Sequence, residues 1–195
     1  MAAKTKTFIL AVFLLMIASL NACAPEKGQK VPVSQVRVYF SPQGGCTEAI
    51  VAEINKAISE IRIQAYSFTS MPIAKAVADA GKRNVRVEII LDKSNRSDRY
   101  SAADFTAHHG IPTYIDDKHN IAHNKIMIID RKIVVTGSFN FTNQAEHENA
   151  ENLMIIKGHP ELVQAYRQNF LAHKAHSKAA EMKTPVDAHR AKKAA

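Results

Sequence analysis

The chain is poor in cysteine, with only Cys23 and Cys46 in 195 residues, so a disulfide framework is not what holds its fold together. It lacks long Gly/Pro/Ser tracts and any repeat of fixed period, which argues against a solenoid, a fibrous array or a largely disordered chain. Its extended apolar run, Phe8 to Leu20, falls short of the about 20 residues that a membrane-spanning helix needs. Standard metal-ligand spacing is missing too. His108, His109 and His119, with Asp116 and Asp117 nearby, match no such pattern and are expected at a helix end and in a loop on the surface, so neither a metal nor a cofactor is expected. Cys46 has no histidine near it in sequence and reads as a partly buried small residue after Gly44-Gly45 rather than a catalytic thiol. What is present is a globular composition, 46% apolar and 23% charged, in a length suited to one domain.

Lys4 and Lys6 precede the apolar run, so residues 1–24 read as an export signal and the protein as periplasmic or secreted. Ala22-Cys23-Ala24 has the small-x-small form of a cleavage site, but Pro25 would follow that cut and hinder it, so cleavage after Ala22 also fits. Leu20-Asn21-Ala22-Cys23 resembles a bacterial lipoprotein box, although Asn21 is unusual there; membrane contact is expected only if Cys23 is lipidated.

The formal charge is +8, but two lysines leave with the signal and the segment from 173 to 195 carries a net +4, leaving +2 for the body of the domain. Net charge therefore does not establish a nucleic-acid partner. The segment 173–195, with Lys174, Lys178, Lys183, Arg190, Lys192 and Lys193, reads as a basic, solvated and disordered tail, with a DNA-binding arm as the alternative.

Between a linker (25–35) and that tail, residues 36–172 show alternating helix and strand signals. Val36 to Phe40 alternates as a strand. Thr47 is the expected N-cap of a helix on which Ile50, Ile54, Ile58 and Ile61 recur, and Ile61 to Phe68 returns to strand character. Pro72 opens a helix that Gly81 ends, Val85 to Leu91 is a strand, and a short helix ending at Gly110 precedes a strand over 111–115. Lys125–Ile129 and Ile133–Thr136 read as a hairpin, Asn152–Ile156 as a strand, and Pro160 opens an amphipathic helix with Leu162, Val163, Tyr166 and Phe170. The order predicts an α/β fold: a mixed, largely parallel sheet flanked by helices, in one domain.

The chemistry concentrates in His123-Asn124-Lys125 through Asp130 and in Gly137-Ser138-Phe139-Asn140. Residues two apart on a strand face the same side, so His123 and Lys125 project together, and Ser138 and Asn140 likewise. An imidazole serves as nucleophile or general acid near neutral pH, an ammonium holds a phosphate oxygen, and a hydroxyl and an amide donate hydrogen bonds. Nothing in this set requires a metal. Asp130, of opposite parity and at a turn, reads as a structural acceptor within the hairpin. Lys93, Arg96 and Arg99 form a basic loop that either lines a phosphate groove or is simply solvated.

The segment resembles the signature of the phospholipase D superfamily: His-x-Lys, four residues, Asp, six residues, Gly-Ser-x-Asn. His123, Lys125, Asp130, Gly137, Ser138 and Asn140 match every fixed position. From Val36 through Ala65-Tyr66-Ser67-Phe68-Thr69 to about Phe170 the chain resembles in particular the small exported bacterial endonucleases of that superfamily. The resemblance implies a covalent phosphohistidine intermediate formed by one histidine while a second protonates the leaving oxygen. One chain carries one motif, so it also implies a homodimer in which two copies of His123 meet. It selects Glu151 as the carboxylate that orients the histidine, where the residues alone leave Glu148 as a competitor. The function implied is a metal-independent phosphodiesterase, foremost an endonuclease acting on DNA or RNA with little sequence preference. The alternatives are a phospholipase D acting on phosphatidyl headgroups and a nucleic-acid-binding module without turnover.

Overall fold

The computed structural model describes residues 34–96 and 101–180. The signal, the possible lipid attachment at Cys23, nearly all of the linker, Arg99 and the basic residues beyond 180 lie outside them. The elements run β1 (Gln35–Ser41), α1 (Cys46–Lys56), β2 (Glu60–Ala65), α2 (Met71–Lys82), β3 (Arg86–Asp92), a single 3-10 turn (Lys93–Arg96), α3 (Ala102–His108) and β4 (Thr113–Asp116). Then follow β5 (Lys125–Ile129), β6 (Ile133–Gly137), α4 (Asn143–His147), β7 (Glu151–Lys157), α5 (Pro160–His176) and β8 (Lys178–Ala179).

All eight strands join one sheet in the order β1-β7-β6-β5-β2-β3-β4-β8. It is a mixed sheet flanked by helices, as expected, but its parallel share is smaller than the helix–strand alternation implies. Among the described strands, parallel pairing is confined to β2-β3 and β3-β4, with one isolated parallel bridge between Phe68 and Phe141. The hairpin β5–β6 inserts between β2 and β7, and β1 pairs antiparallel with β7 instead of parallel with β2.

Alternation assigns the two faces. Ile61, Ile63 and Ala65 of β2, with Val87, Ile89 and Leu91 of β3, Met127 and Ile129 of β5, and Leu153 and Ile155 of β7, pack under α1 and α2 around fully buried Phe68, Phe139 and Phe141. Each of these side chains other than Ala65 contributes about 1.5–3 kcal/mol on leaving water. The opposite face, with Ile90, Ile126, Ile128 and Val134, is covered by α5 through Val163 and Phe170. That cover stops short of β1, where Val36, Val38 and Phe40 are 52%, 48% and 66% exposed.

Three local expectations change in the folded chain. Helix α1 stops at Lys56, so Ile58 is not on its apolar face; it is exposed in the connector, where its N–H donates to the Asp130 carboxylate. The cap of α1 is not Thr47: the N-cap position is Gly45, and the carboxylate of Glu146 in α4 accepts from the N–H groups of Gly45 and Thr47 at 3.1 and 2.7 Å. The expected tail begins too early at 173. Helix α5 runs on to His176, and Lys178 and Ala179 pair with Ile115 and Tyr114 as a new edge strand.

Candidate active site

His123 enters the site on a segment held from both sides. The Asp92 carboxylate accepts from the Ala122 N–H at 2.7 Å, the Tyr66 N–H donates to the Asn124 carbonyl at 2.7 Å, and the Gln64 amide donates to the Asn124 side chain at 3.0 Å. The His123 side chain is exposed, with its ring against Tyr66 at 4.6 Å between centroids. Lys125, the first residue of β5, sits opposite Ala65 and is only 6% exposed. Its ammonium donates to the His123 carbonyl at 3.1 Å and lies 5.0 Å over the Tyr66 ring. Burial pushes the Lys125 pKa down and the Glu151 charge partly offsets that. His123 and Lys125 therefore share a side, as their spacing predicts, and both line an open cleft of about 510 Å³ with Thr136 and Gly137 of β6 and Ala165, Tyr166 and Asn169 of α5.

The second half of the motif begins at a close approach of two strands. At Gly137, with φ of +146°, a Cβ would fall 2.2 Å from the Asn152 carbonyl oxygen, so only glycine lets β6 run this close to β7. Ser138 follows, exposed, its hydroxyl accepting from the Asn152 N–H at 3.0 Å. Asn140 holds its side-chain oxygen buried without a hydrogen-bond partner. Glu151, at the start of β7, accepts from the Asn149 amide at 3.1 Å, and its charge bears on Lys125. Its competitor Glu148 is exposed at the end of α4.

Asp130 is a structural acceptor, but for the neighbouring strand rather than its own hairpin. Its carboxylate accepts from the backbone N–H groups of Ile58, Ser59 and Glu60 and from the Ser59 hydroxyl, at 2.8–3.2 Å. Burial opposes its ionisation, yet these donors outweigh burial and hold its pKa below the usual range.

Lys93 and Arg96, the described members of the basic loop, are engaged elsewhere. The Lys93 ammonium donates to the His119 carbonyl at 3.1 Å, and Arg96 pairs with Asp117 at 3.1 Å. His108 and His109 are exposed and turn back onto carbonyls of their own helix. His119 breaks the expectation of a plain surface residue, because its ring meets the carboxylate of Asp116, which is fully buried. Cys46 is fully buried in the core, and burial together with Glu146 and Glu48 pushes its thiol up to about 11, the state of an inert cysteine.

Sequence reasoning missed the residues that hold the site in place. Tyr66 is the platform under His123 and Lys125, and buried Asn95 fixes the chain there by donating to the Tyr66 carbonyl at 2.7 Å. Asp92 and the α5 residues Tyr166 and Asn169 complete the surroundings. The Tyr66-Ser67-Phe68 segment carried a signal, since a strand that ends in a polar aromatic beside the motif has a ring to offer; Asp92 and Asn169 carried none.

A family model described as cardiolipin synthase, PLD-like domain, matches residues 50–174. A phospholipase D of Rickettsia felis is 44% identical over 142 residues, which cover 73% of this chain and 70% of that protein. Among solved structures, Nuc from Salmonella typhimurium, a phospholipase D family member, is 36% identical with a TM-score of 0.73, covering 75% of this chain and 97% of Nuc. NucT from Helicobacter pylori shares the fold at 22% identity and a TM-score of 0.69, covering 75% of this chain and 99% of NucT. With its motif inside the matched region and its sheet shared with Nuc, the chain belongs to the phospholipase D superfamily of phosphodiesterases.

Proposed function

We propose that this protein is an exported, metal-independent endonuclease that works as a homodimer on DNA or RNA. The observation that carries the reading is the buried Lys125 ammonium beside an exposed His123 at the mouth of an open cleft. A positive charge kept out of water, with a carbonyl as its hydrogen-bond partner, is stabilised when a phosphate oxygen arrives. His123 attacks phosphorus, forming a P–N bond as the P–O bond to the leaving group breaks, and the partner's His123 gives its proton to the departing oxygen. Water, deprotonated by that now neutral imidazole, then attacks phosphorus and breaks the P–N bond, which returns both histidines to their starting states. Ser138 and Asn140 act as donors to the phosphoryl oxygens, and Glu151 sustains the charge of Lys125 and orients the histidine.

The dimer has support beyond the need for a second histidine. Thr136 of the cleft pairs with Met154, which pairs in turn with exposed Val38, so the cleft is continuous with the uncovered apolar row on β1. A second copy laid on that row would bury it beside the cleft. Nucleic acid is preferred because the chain is 36% identical to Nuc over nearly all of Nuc and its motif segment resembles that of the small exported endonucleases. The name of the Rickettsia felis relative, phospholipase D, favours a second reading, in which the same cleft takes phosphatidyl headgroups and a lipidated Cys23 holds the enzyme at its substrate.

The test is nicking of plasmid DNA by the purified mature protein in excess EDTA, at a temperature where the EDTA-treated protein is folded, with sedimentation run on the same sample. Nicking by a dimer that disappears in His123→Ala supports the proposal. Hydrolysis of phosphatidylcholine vesicles without nicking moves the substrate to lipid, and a monomer that nicks at full rate sinks the shared-histidine mechanism.

A further inference from the structure

Away from the cleft, four side chains from distant parts of the sequence meet at the opposite edge of the sheet. Asp116 ends β4, His119 lies three residues on in the following loop, and His173 and His176 occupy the last turn of α5, one helical turn apart. One donor atom from each falls within 4.8 Å of all the others. The Asp116 carboxylate is fully buried, and one of its oxygens, Oδ2, faces three imidazoles: His173 Nδ1 at 2.7 Å, His119 Nδ1 at 3.1 Å and His176 Nε2 at 3.2 Å. The three rings crowd one another, with centroids 4.7–5.3 Å apart.

Hydrogen bonding alone leaves this arrangement incomplete. His176 Nε2 is buried and makes no hydrogen bond despite its approach to Asp116. Three imidazoles around one carboxylate oxygen offer more nitrogen than it accepts in good geometry, and protonating all of them would set three cations ring to ring. A divalent cation at the centre satisfies every donor with its lone pair. Ligands at about 2.0–2.1 Å from zinc in a tetrahedron stand about 3.3 Å apart, close to the 2.7–3.2 Å already found between Asp116 and the histidines. The widest separation of 4.8 Å closes by rotation of imidazoles at a loop and a helix end.

We propose that Asp116, His119, His173 and His176 form a structural site for one zinc-class divalent cation. Three imidazoles and one carboxylate suit zinc, and four protein ligands leave no open position for chemistry. None of the four lines the cleft around His123, so the cation takes no part in phosphodiester cleavage. Its effect is mechanical. It pins the end of α5 to the end of β4, where β8 adds to the sheet, and it fixes the loop that runs from His119 into His123. The surroundings are built to hold that loop: Asp117 pairs with Arg96 and Lys178, and Lys93 donates to the His119 carbonyl.

The test uses the full mature protein. Metal content is measured by mass spectrometry on protein as isolated, after stripping with EDTA, and after returning zinc or cobalt. The expected result is one zinc per chain, a visible absorption typical of four-coordinate cobalt, and a Tm that zinc at about 100 times its Kd raises by about 5–10 °C over the stripped form. His119→Gln and the double variant His173→Gln/His176→Gln should lose that uptake and that increment. Uptake unchanged in both variants would place the metal elsewhere and overturn the proposal. So would wild-type protein that takes up no stoichiometric metal and melts alike with and without zinc, which would make the cluster a hydrogen-bonded one only. These readouts are independent of nuclease activity, so failure of the zinc site and failure of the functional reading are separable, even if a variant does not fold.

Discussion

The two ends of β5 carry parts of the same motif and treat them in opposite ways. At its start, His123 is exposed and Lys125 is buried with its ammonium resting on a carbonyl and a tyrosine ring. Just past its end, the Asp130 carboxylate takes up four donors from the neighbouring connector and strand. The first end leaves its buried ammonium with a carbonyl and a ring but no contacting carboxylate among the described residues, which is unfavourable to folding but ready for an anionic ligand; the second satisfies its charge fully. A motif read from sequence thus mixes residues proposed to do chemistry with residues that hold the strand in register, and substitution is expected to separate them.

The sharpest break comes from His123→Ala, expected to lower the phosphodiesterase rate by about 10⁴-fold or more while leaving the Tm nearly unchanged, because the ring is exposed. Rates in EDTA and thermal melts on one sample check both halves. Lys125→Met should cost about 10²–10³-fold in rate and yet leave stability equal or higher, since it removes a buried charge; a large loss of stability would mean that Lys125 is structural. Asp130→Ala inverts the pattern. It should cost about 2–4 kcal/mol in denaturant unfolding, with the rate per folded molecule within about twofold of wild type.

The smallest effect is the response to acid. In Asp130 and Asp92 burial alone would raise the pKa, but hydrogen bonds outweigh it and hold both below the usual range. The unfolded chain, with aspartates near about 3.9, then binds more protons than the folded one, so their stabilisation is present in full above about pH 5 and is lost progressively as the pH falls below about 4 and through the depressed folded-state values. Melts of EDTA-stripped wild type between pH 7 and 3 should fall at the acid end, and Asp130→Asn should flatten that fall.

Much of the fold was legible because its signals are local. The alternation of Val36 to Phe40, of Val85 to Leu91 and of the two hairpin strands located β1, β3, β5 and β6 to within about two residues. Pro160 and the spacing of Val163 and Phe170 located α5 and its buried face. The shared side of His123 and Lys125 followed from parity alone. The strand order was not legible, because nothing local in β1 tells whether β2 or β7 will lie beside it. Nor was the capping of α1 by Glu146, about 100 residues further along the chain.

By itself, then, the sequence singled out the candidate residues for phosphodiester chemistry and most of the strands, since both depend on side-chain type and on a spacing of a few residues. The tertiary structure alone decided what surrounds them. Tyr66 came to lie under His123, Asp130 to cap another strand, and His173 to meet Asp116 from 57 positions away. The physical reason is that these partnerships are made across strands and between a helix end and a sheet edge, where separation along the chain carries no information about distance in space.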